Sequence, residues 1–332
     1  MSPQPIATAV RGVIMSLVRC GIVAVVLSVV VASQALAQAI TISIGTVGGG
    51  NTLEWPFYIA EKKGFLEQEK FALEWVGAQS SAAVMQQVAA GSLNLGTTGL
   101  ADSLRAADKG APTRLVRIGV GVSPYEVVGA RSVKSWADLR QKTVMIGGAK
   151  DITRLYFEDM ARANGLGLGE YDYVFAGSTA ARFSALTSGS VAATILFPPF
   201  NFLALRDGYR SLGLSANYTN NFPFSTYSVN LNWAQTNKDA IRHFLAAYAN
   251  GVDWFYDRVN RDEAISILIS YLKSDPKDVA DTYDYFVKLP AFDRVGAVEG
   301  SGVENYLAIL KRDGDLEGGT DLGRFYDPSL VH

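Results

Sequence analysis

Apolar Ile40, Ile42 and Ile44 alternate with polar Thr41 and Ser43, a period of two that predicts a strand opening near residue 40. The pattern breaks at Gly48, Gly49, Gly50 and Asn51. It restarts as a short helix over residues 55–63, with Pro56 near its start and Gly64 just past its end. Three consecutive glycines do not serve strand stability, because glycine costs backbone entropy. They serve a sharp turn or a close approach to another group. A first strand that ends in a bare loop opening a helix is where α/β proteins bind ligands. Residues 40–58 therefore predict one wall of a cleft; an ordinary strand-to-helix turn is the alternative.

The alternation of strand and helix patterns runs on to about Leu214. Strands are predicted over 71–76, 93–97, 114–122 and 143–146. Helices are predicted from Ser80 or Ser81 to Ala90, over 101–109, and from Asp151 or Thr153 to Gly165. This order implies βαβ units and parallel sheets. A strand over 227–232 follows, and beyond Asn237 the pattern turns helical. Ile241, Phe244, Leu245 and Tyr248 lie at helical spacing within 240–256. Further helices are predicted over 262–272, 276–287 and 303–312.

Residues 76–97 can be laid on residues 174–195 without a gap. Identities fall at Val76/Val174, Ala78/Ala176, Ser80/Ser178, Ala82/Ala180, Ala83/Ala181, Gly91/Gly189 and Ser92/Ser190. Shared ancestry and convergence of two ordinary units both account for this. Either way, two similar α/β lobes are expected, each presenting serine-capped helix starts. Ser123-Pro124-Tyr125 and the 220–225 loop (NNFPFS) interrupt the pattern and read as two crossings between lobes, hence a hinge. The expected division is 1–37 as a signal peptide, 38–124 plus 226–332 as the first lobe, and 125–225 as the second.

Composition adds the compartment. Arg11 and Arg19 precede an apolar run over 21–32, followed by Ala35-Leu36-Ala37. That is a positive n-region, an h-region and a small-residue cleavage site, predicting cleavage after Ala37. The run is shorter than the ~20 residues of a membrane span. Cys20, the single cysteine, lies inside it, so a mature chain would hold no disulfide. Losing two arginines and no acidic residue takes the formal charge from -2 to -4, which argues against nucleic acid as a partner. A bacterial periplasm fits.

An enzyme reading finds little support. There are two histidines, His243 within a helix and His332 at the end. No HExxH, GxSxG or GxxxxGK[ST] motif appears, and GTVGGG lacks the spacing of a dinucleotide fingerprint. No metal or cofactor is expected. A binding reading has more to use. Helix starts after Gly77, Gly147 and Gly177 offer free N–H groups and positive dipole ends to an anion. Ser80, Ser81, Ser178 and Thr179 would add hydroxyl donors, or simply cap their helices. Trp55, Tyr58 and Phe197 are candidate walls for a flat ligand. Arg182 sits in the first turn of its helix against the dipole preference, which hints at an anion, or at a solvated surface arginine. Glu54 and Asp102 could accept from a ligand amine, or face solvent.

The stretches TISIGTVGGGNTLEWPFYIAEKKGFLEQE, LNLGTTGLADSLRAADKGAP, SVKSWADLRQKTVMIGG and GSVAATILFPPFN, behind an export signal, resemble periplasmic solute-binding proteins of the nitrate, sulfonate and taurine uptake type, a family that includes thiamine-precursor binders. The resemblance implies a two-lobed periplasmic binding protein of type II, each lobe a mostly parallel sheet flanked by helices, delivering a small solute to an ABC permease of the inner membrane and working as a monomer. Carried over by position, it implies cleft contacts at Gly49, Asn51, Trp55, Ser80, Ser81, Thr97, Thr98, Gly148, Ser178 and Phe197. Related fungal pyrimidine-synthesising enzymes carry a cysteine-rich iron motif that this chain lacks. Many relatives have an acidic residue and a tryptophan before the later Pro-Phe; here the run is Leu196-Phe197-Pro198-Pro199-Phe200. The expected solute is a small organic anion, a sulfonate or aromatic carboxylate. A pyrimidine-like heterocycle and a lyase or dehydratase on the same fold are the alternatives.

Overall fold

Among the described residues, ten strands build two five-stranded sheets of one design. A computed structural model describes residues 40–48, 50–218 and 222–331. The predicted signal segment with Cys20 and Ala37, together with Gly49, Asn220 and Asn221, lies outside the described residues. The first sheet holds β1 (Ile40–Val47), β2 (Phe71–Ala78), β3 (Leu95–Gly99), β4 (Thr113–Val120) and β10 (Ser225–Asn230), in the order β2-β1-β3-β10-β4. The second holds β5 (Glu126–Gly129), β6 (Thr143–Ile146), β7 (Asp172–Phe175), β8 (Ala193–Leu196) and β9 (Arg210–Leu214), in the order β7-β6-β8-β5-β9.

Both sheets are mixed. β1 runs parallel to β3, and β6 runs parallel to β7 and β8. β10 is antiparallel to both its neighbours, and so is β5. These two are the first strands after a crossing: the chain leaves the first sheet through residues 121–125 and returns through 215–224. A strand that leaves a sheet points toward the crossing, so the strand that enters from it must point away. The antiparallel member of each sheet follows from that geometry.

The sequence repeat occupies matching places in the two sheets. β2, α3 (Ser81–Ala90) and β3 in one correspond to β7, α6 (Thr179–Thr187) and β8 in the other. Ser80 Oγ accepts from the Ala83 N–H at 3.2 Å and Ser178 Oγ from the Ala181 N–H at 3.2 Å. Gly91 and Gly189 follow these helices with φ of 77° and 76°, a left-handed conformation that glycine adopts freely.

The remaining helices are α1 (Trp55–Lys62), α2 (Phe65–Gln68), α4 (Leu100–Asp108), α5 (Ile152–Ala163), α7 (Phe200–Arg206), α8 (Leu231–Thr236), α9 (Lys238–Tyr256), α10 (Arg261–Leu272), α11 (Pro276–Lys288) and α12 (Val303–Arg312). The strand expected over 227–232 ends at Asn230, because the Asn230 side chain turns back to accept from the Trp233 N–H at 3.0 Å and starts α8. The C-terminal helices cover the first sheet. Phe57 of α1 lies 4.6 Å from Phe244 and 5.0 Å from Tyr248 of α9 (ring centroids), with Tyr227 of β10 beside them at 5.7 Å. At Gly251 the main chains of α9 and α1 touch: a Cβ there would stand 2.1 Å from the Pro56 carbonyl oxygen. Among the described residues, no helix is long and apolar enough to cross a membrane.

Candidate functional site

The glycine loop after β1 is anchored from behind by a buried carboxylate. Thr46 Oγ1 donates to Glu54 Oε1 at 3.0 Å, and Tyr227 Oη donates to Glu54 Oε2 at 2.9 Å. Asn51 donates from Nδ2 to Thr46 Oγ1 at 3.2 Å and accepts the Leu53 N–H at 2.8 Å. Glu54 is fully covered, so neither solvation nor an open carboxylate describes it. Burial pushes its pKa up to about 7, against the opposing effect of hydrogen bonds from Tyr227, Thr46 and Thr97. Gly50 has φ of 144°, and a Cβ there would lie 2.8 Å from Tyr58 Oη, so this glycine is required by both backbone and space.

At the end of β3, Thr97 and Thr98 are buried. Thr98 Oγ1 lies 2.7 Å from Ser103 Oγ, and Ser81 Oγ accepts the Gly99 N–H at 3.3 Å. Asn51, Ser80, Ser81, Thr97 and Thr98 thus follow or end neighbouring strands β1, β2 and β3, as their spacing predicts. Each already serves a protein partner.

In the second sheet, half-exposed Gly148 precedes Asp151, whose carboxylate accepts from the Thr153 N–H at 2.9 Å and starts α5. Ser178 is exposed and Thr179 half-buried at the start of α6. Arg182 is 1% exposed, which excludes a solvated surface arginine. Its Nε donates to the Ile195 carbonyl at 2.8 Å, Nη1 to the carbonyls of Ala176 and Gly177 at 2.9 and 3.0 Å, and Nη2 to Thr179 Oγ1 at 2.9 Å. Those oxygens account for a cation in the first turn of this helix. It ties the ends of β7 and β8 together.

Trp55 and Tyr58 lie in the helical core. Trp55 is fully buried, donates from Nε1 to the Ala264 carbonyl at 2.9 Å, and meets Phe255 and Tyr283 edge-on at 5.2 and 5.7 Å. Tyr58 stacks on Tyr271 with centroids 4.1 Å apart. Phe197, also buried, packs 5.7 Å from Tyr125 and 6.0 Å from Phe224. Tyr125 and Phe224 belong to the two crossings and meet at 5.2 Å and 89°. Phe197 is therefore the one aromatic candidate wall that the fold puts beside both crossings. His243 is exposed on α9, with Nδ1 2.6 Å from Glu69 Oε2.

A polar cluster spans the same region. Arg105 Nη2 of α4 donates to Asp315 Oδ2 at 2.7 Å, and Lys150 Nζ, from the loop after β6, reaches Asp315 Oδ1 at 2.5 Å. Arg105 Nη1 lies 3.7 Å from Asp102 Oδ1. Burial raises the Asp102 pKa to about 6; the Asp151 charge adds to the rise and Arg105 opposes it. Burial also acts upward on Asp315, but hydrogen bonds from Lys150 and Arg105 hold it below its usual range. Tyr156 of α5 and Tyr306 of α12 are both fully covered, and each phenol is pushed up chiefly by burial. The charges of Arg105, Asp151, Asp102 and Asp315 act on Tyr306, and Tyr306 in turn acts on Tyr156. Among the described residues, no group of three or more His, Cys, Asp or Glu side chains could hold a metal.

Residue patterning did not single out Tyr156, Tyr306, Arg105, Lys150 or Asp315. Tyrosines at helical spacing read as core, and the Asp315 contact joins positions far apart in the chain.

The NMT1/THI5-like family profile matches residues 51–260. No curated protein matches the sequence significantly. Several solved structures do resemble it. The ligand-binding component of an ABC-type import system from Staphylococcus aureus, solved with zinc bound, shares 16% identity at a TM-score of 0.73, covering 88% of this chain and 97% of that one. The alkanesulfonate-binding protein SsuA from Xanthomonas axonopodis, bound to MOPS, shares 15% identity at 0.70, covering 89% and 99%. The periplasmic nitrate-binding protein NrtA from Synechocystis shares 14% identity at 0.72, covering 88% and 87%. At such identities the likeness is one of fold, and the two mixed sheets match the periplasmic-binding-protein fold of these structures.

Proposed function

This chain belongs to the NMT1/THI5-like family, and on that premise we propose that it is the periplasmic solute-binding component of an ABC importer. It is exported, cleaved after Ala37, and acts as a monomer. Residues 38–124 with 226–332 and residues 125–225 are its two lobes, hinged at the paired crossings. The lobes close on a small organic anion, a sulfonate or an aromatic carboxylate, and hand it to a permease in the inner membrane. Neither nucleic acid nor a cofactor takes part.

The observation that carries this reading is the meeting of Tyr125, Phe197 and Phe224 at the two crossings, with the starts of α3, α5 and α6 at the strand ends of the two sheets. Ligands of open α/β sheets bind outside the carboxyl ends of the strands, and helix starts favour anions there. The rings supply flat apolar contact for the body of the solute.

A second reading has its own support. Asp102 and Asp151 lie close enough for one charge to act on the other, and such a pair favours a protonated amine, as on a pyrimidine or thiamine-precursor heterocycle. Isothermal titration of the mature chain with benzoate, benzenesulfonate, taurine and an aminopyrimidine separates the two. Heat with the acids supports the anion, and heat with the aminopyrimidine alone supports the heterocycle. Absence of heat and of any thermal shift with all four would sink the receptor reading. Mass spectrometry of the bound compound after overnight incubation should return it unchanged; turnover would favour a lyase or dehydratase.

A further inference from the structure

Among the described residues, ion pairs join residues 125–225 to the rest of the chain at two places. One lies beside the first crossing. Arg206, the last residue of α7, pairs with Asp278 and Asp281 of α11. Phe202 of α7 meets Tyr285 of α11 at 5.7 Å, and Tyr285 Oη donates to the Pro124 carbonyl at 3.3 Å. The other place is the contact of Lys150 Nζ with Asp315 Oδ1, at 2.5 Å. Lys150 sits in the loop that follows the carboxyl end of β6, the end at which such sheets bind ligands. Asp315 is carried away from the second crossing by α12. Tyr306, near the start of that helix, touches Phe222 of the crossing at 5.7 Å. The helix then runs on for about 9 Å before the turn that bears Asp315.

Each end of this contact has a firm mount on its own side. Asp315 accepts from Arg105 Nη2 of α4 at 2.7 Å, and its N–H donates to the Leu310 carbonyl at 2.8 Å. The N–H groups of Glu317 and Gly318 donate to the Asp108 carboxylate, also on α4, at 2.7 and 3.0 Å. The Lys150 loop is closed on α5. The Asp151 N–H donates to the Gly148 carbonyl at 3.1 Å, and Arg154 Nη1 to the Ala149 carbonyl at 2.9 Å. Neither mount can follow the other, so any parting of the two must break the bridge. The side chains of Arg105 and Asp315 are only 15% and 16% exposed, whereas Lys150 is 66% exposed. The carboxylate is thus a fixed fitting, and the lysine is the arm that reaches it.

We propose that Lys150 and Asp315 form a latch across the cleft: Asp315, positioned by Arg105, holds the lysine of the second lobe when the lobes are closed and releases it when they open. This assignment rests on the hinged, two-lobed reading above. The Arg206 pairs lie beside the segment that turns and persist through the movement, while the Lys150 pair parts. The latch sets the fraction of the protein in its closed, binding-competent state, and apparent affinity scales with that fraction. Lys150 lies inside the segment matched by the family profile and Asp315 outside it, so the two halves of the latch come from different parts of the chain.

The test uses the mature wild-type chain with its Lys150→Ala, Lys150→Glu and Lys150→Arg variants. Small-angle X-ray scattering without ligand reads the opening, and titration with benzenesulfonate and an aminopyrimidine reads the affinity. Because the lysine is exposed, each variant should melt within about 2 °C of the wild type. At about 0.05 M salt, Lys150→Ala should have a larger radius of gyration than the wild type. Lys150→Glu, which sets like charges face to face, should be larger still, and Lys150→Arg should match the wild type. Raising the salt to about 0.5 M should expand the wild type toward Lys150→Ala and leave that variant unchanged. Affinity for whichever probe binds should fall by about two- to fivefold in Lys150→Ala. Equal radii for the wild type and Lys150→Glu at both salt concentrations would overturn the latch, whatever the titrations give. Expansion of Lys150→Ala together with a clear drop in melting temperature would mark a loosened fold and overturn it equally. Binding of neither probe by the wild type would count against the receptor reading, with the scattering still deciding the latch.

Discussion

The hydroxyls of Ser123 and Ser215 meet at 2.5 Å, one on each of the two segments that join the sheets. Ser215 Oγ has a single proton, and the Tyr125 carbonyl at 2.8 Å is a better acceptor for it than the Ser123 carbonyl at 3.3 Å. Either hydroxyl can donate in the Ser123–Ser215 pair, and Tyr156 is a further hydrogen-bond partner of Ser123. The Ser215 N–H also donates to the Tyr125 carbonyl, at 2.9 Å. A chain of hydroxyls thus couples the crossings inside the protein, where both residues are fully covered.

Ser215→Ala should cost about 1–3 kcal/mol in urea unfolding, because it removes a buried hydroxyl bonded to both the Ser123 hydroxyl and the Tyr125 carbonyl. Ser123→Ala should cost less, about 1 kcal/mol, since Ser215 keeps its carbonyl. The double variant should fall well short of the sum of the two, as expected for members of one network.

Glu54 gives the stability curve a direction. Its folded pKa of about 7 stands above the unfolded value of 4.5, so the folded state holds the extra proton between them. That contribution is full below about pH 4.5, is lost as pH rises to about 7, and amounts to about 3 kcal/mol. Glu54→Gln, neutral throughout, should remove this slope. Melting temperatures of both proteins from pH 4.5 to 8 check it; parallel curves would rule it out.

Ligand affinity should follow pH through Asp102, whose pKa stands at about 6. Protonation removes one negative charge beside Asp151, Arg105 and Asp315. Benzenesulfonate should bind more tightly at pH 5 than at pH 7.5, and an amine-bearing heterocycle less tightly. Asp102→Asn should flatten both trends. Titration calorimetry at the two pH values reads the sign directly.

Trp55 should behave as a core residue. Trp55→Phe loses the bond to the Ala264 carbonyl and part of the ring volume, for about 2–3 kcal/mol, whereas Trp55→Ala should cost about 3–5 kcal/mol. For the Phe variant, the Kd of any bound probe should stay within about twofold of wild type, measured below its melting transition. A selective loss of affinity with unchanged stability would return Trp55 to the cleft.

What could be read from the chain was set by local rules. Ser80 and Ser178 cap their helices as their spacing to Gly91 and Gly189 predicts, because capping needs only neighbours a few residues away. The alternation of strands and helices and the two crossings were legible in the same way, whereas the antiparallel β5 and β10 follow from where the chain re-enters each sheet and not from any local pattern. Side-chain destinations were less legible. An aromatic beside a glycine loop looks the same in sequence whether it faces a ligand or, like Trp55, a helix more than two hundred residues later. Arg182 advertised an anion by its place in the helix, but backbone oxygens of β8 and the β7–α6 turn satisfy it. Tyr156 and Tyr306 carry no local sign at all, since only tertiary folding brings α5 and α12 into one neighbourhood.

Gly251 leaves α9 and α1 in main-chain contact, with no side chain between them to give way. The helix that opens behind the glycine loop is thus seated on bare peptide, and its height is gauged by an atom far downstream. Any substitution at that seat would lift the rear of the proposed solute chamber and change its bore without altering a single lining residue. Tuning of ligand size is therefore to be sought on the outer helices as well as within the chamber.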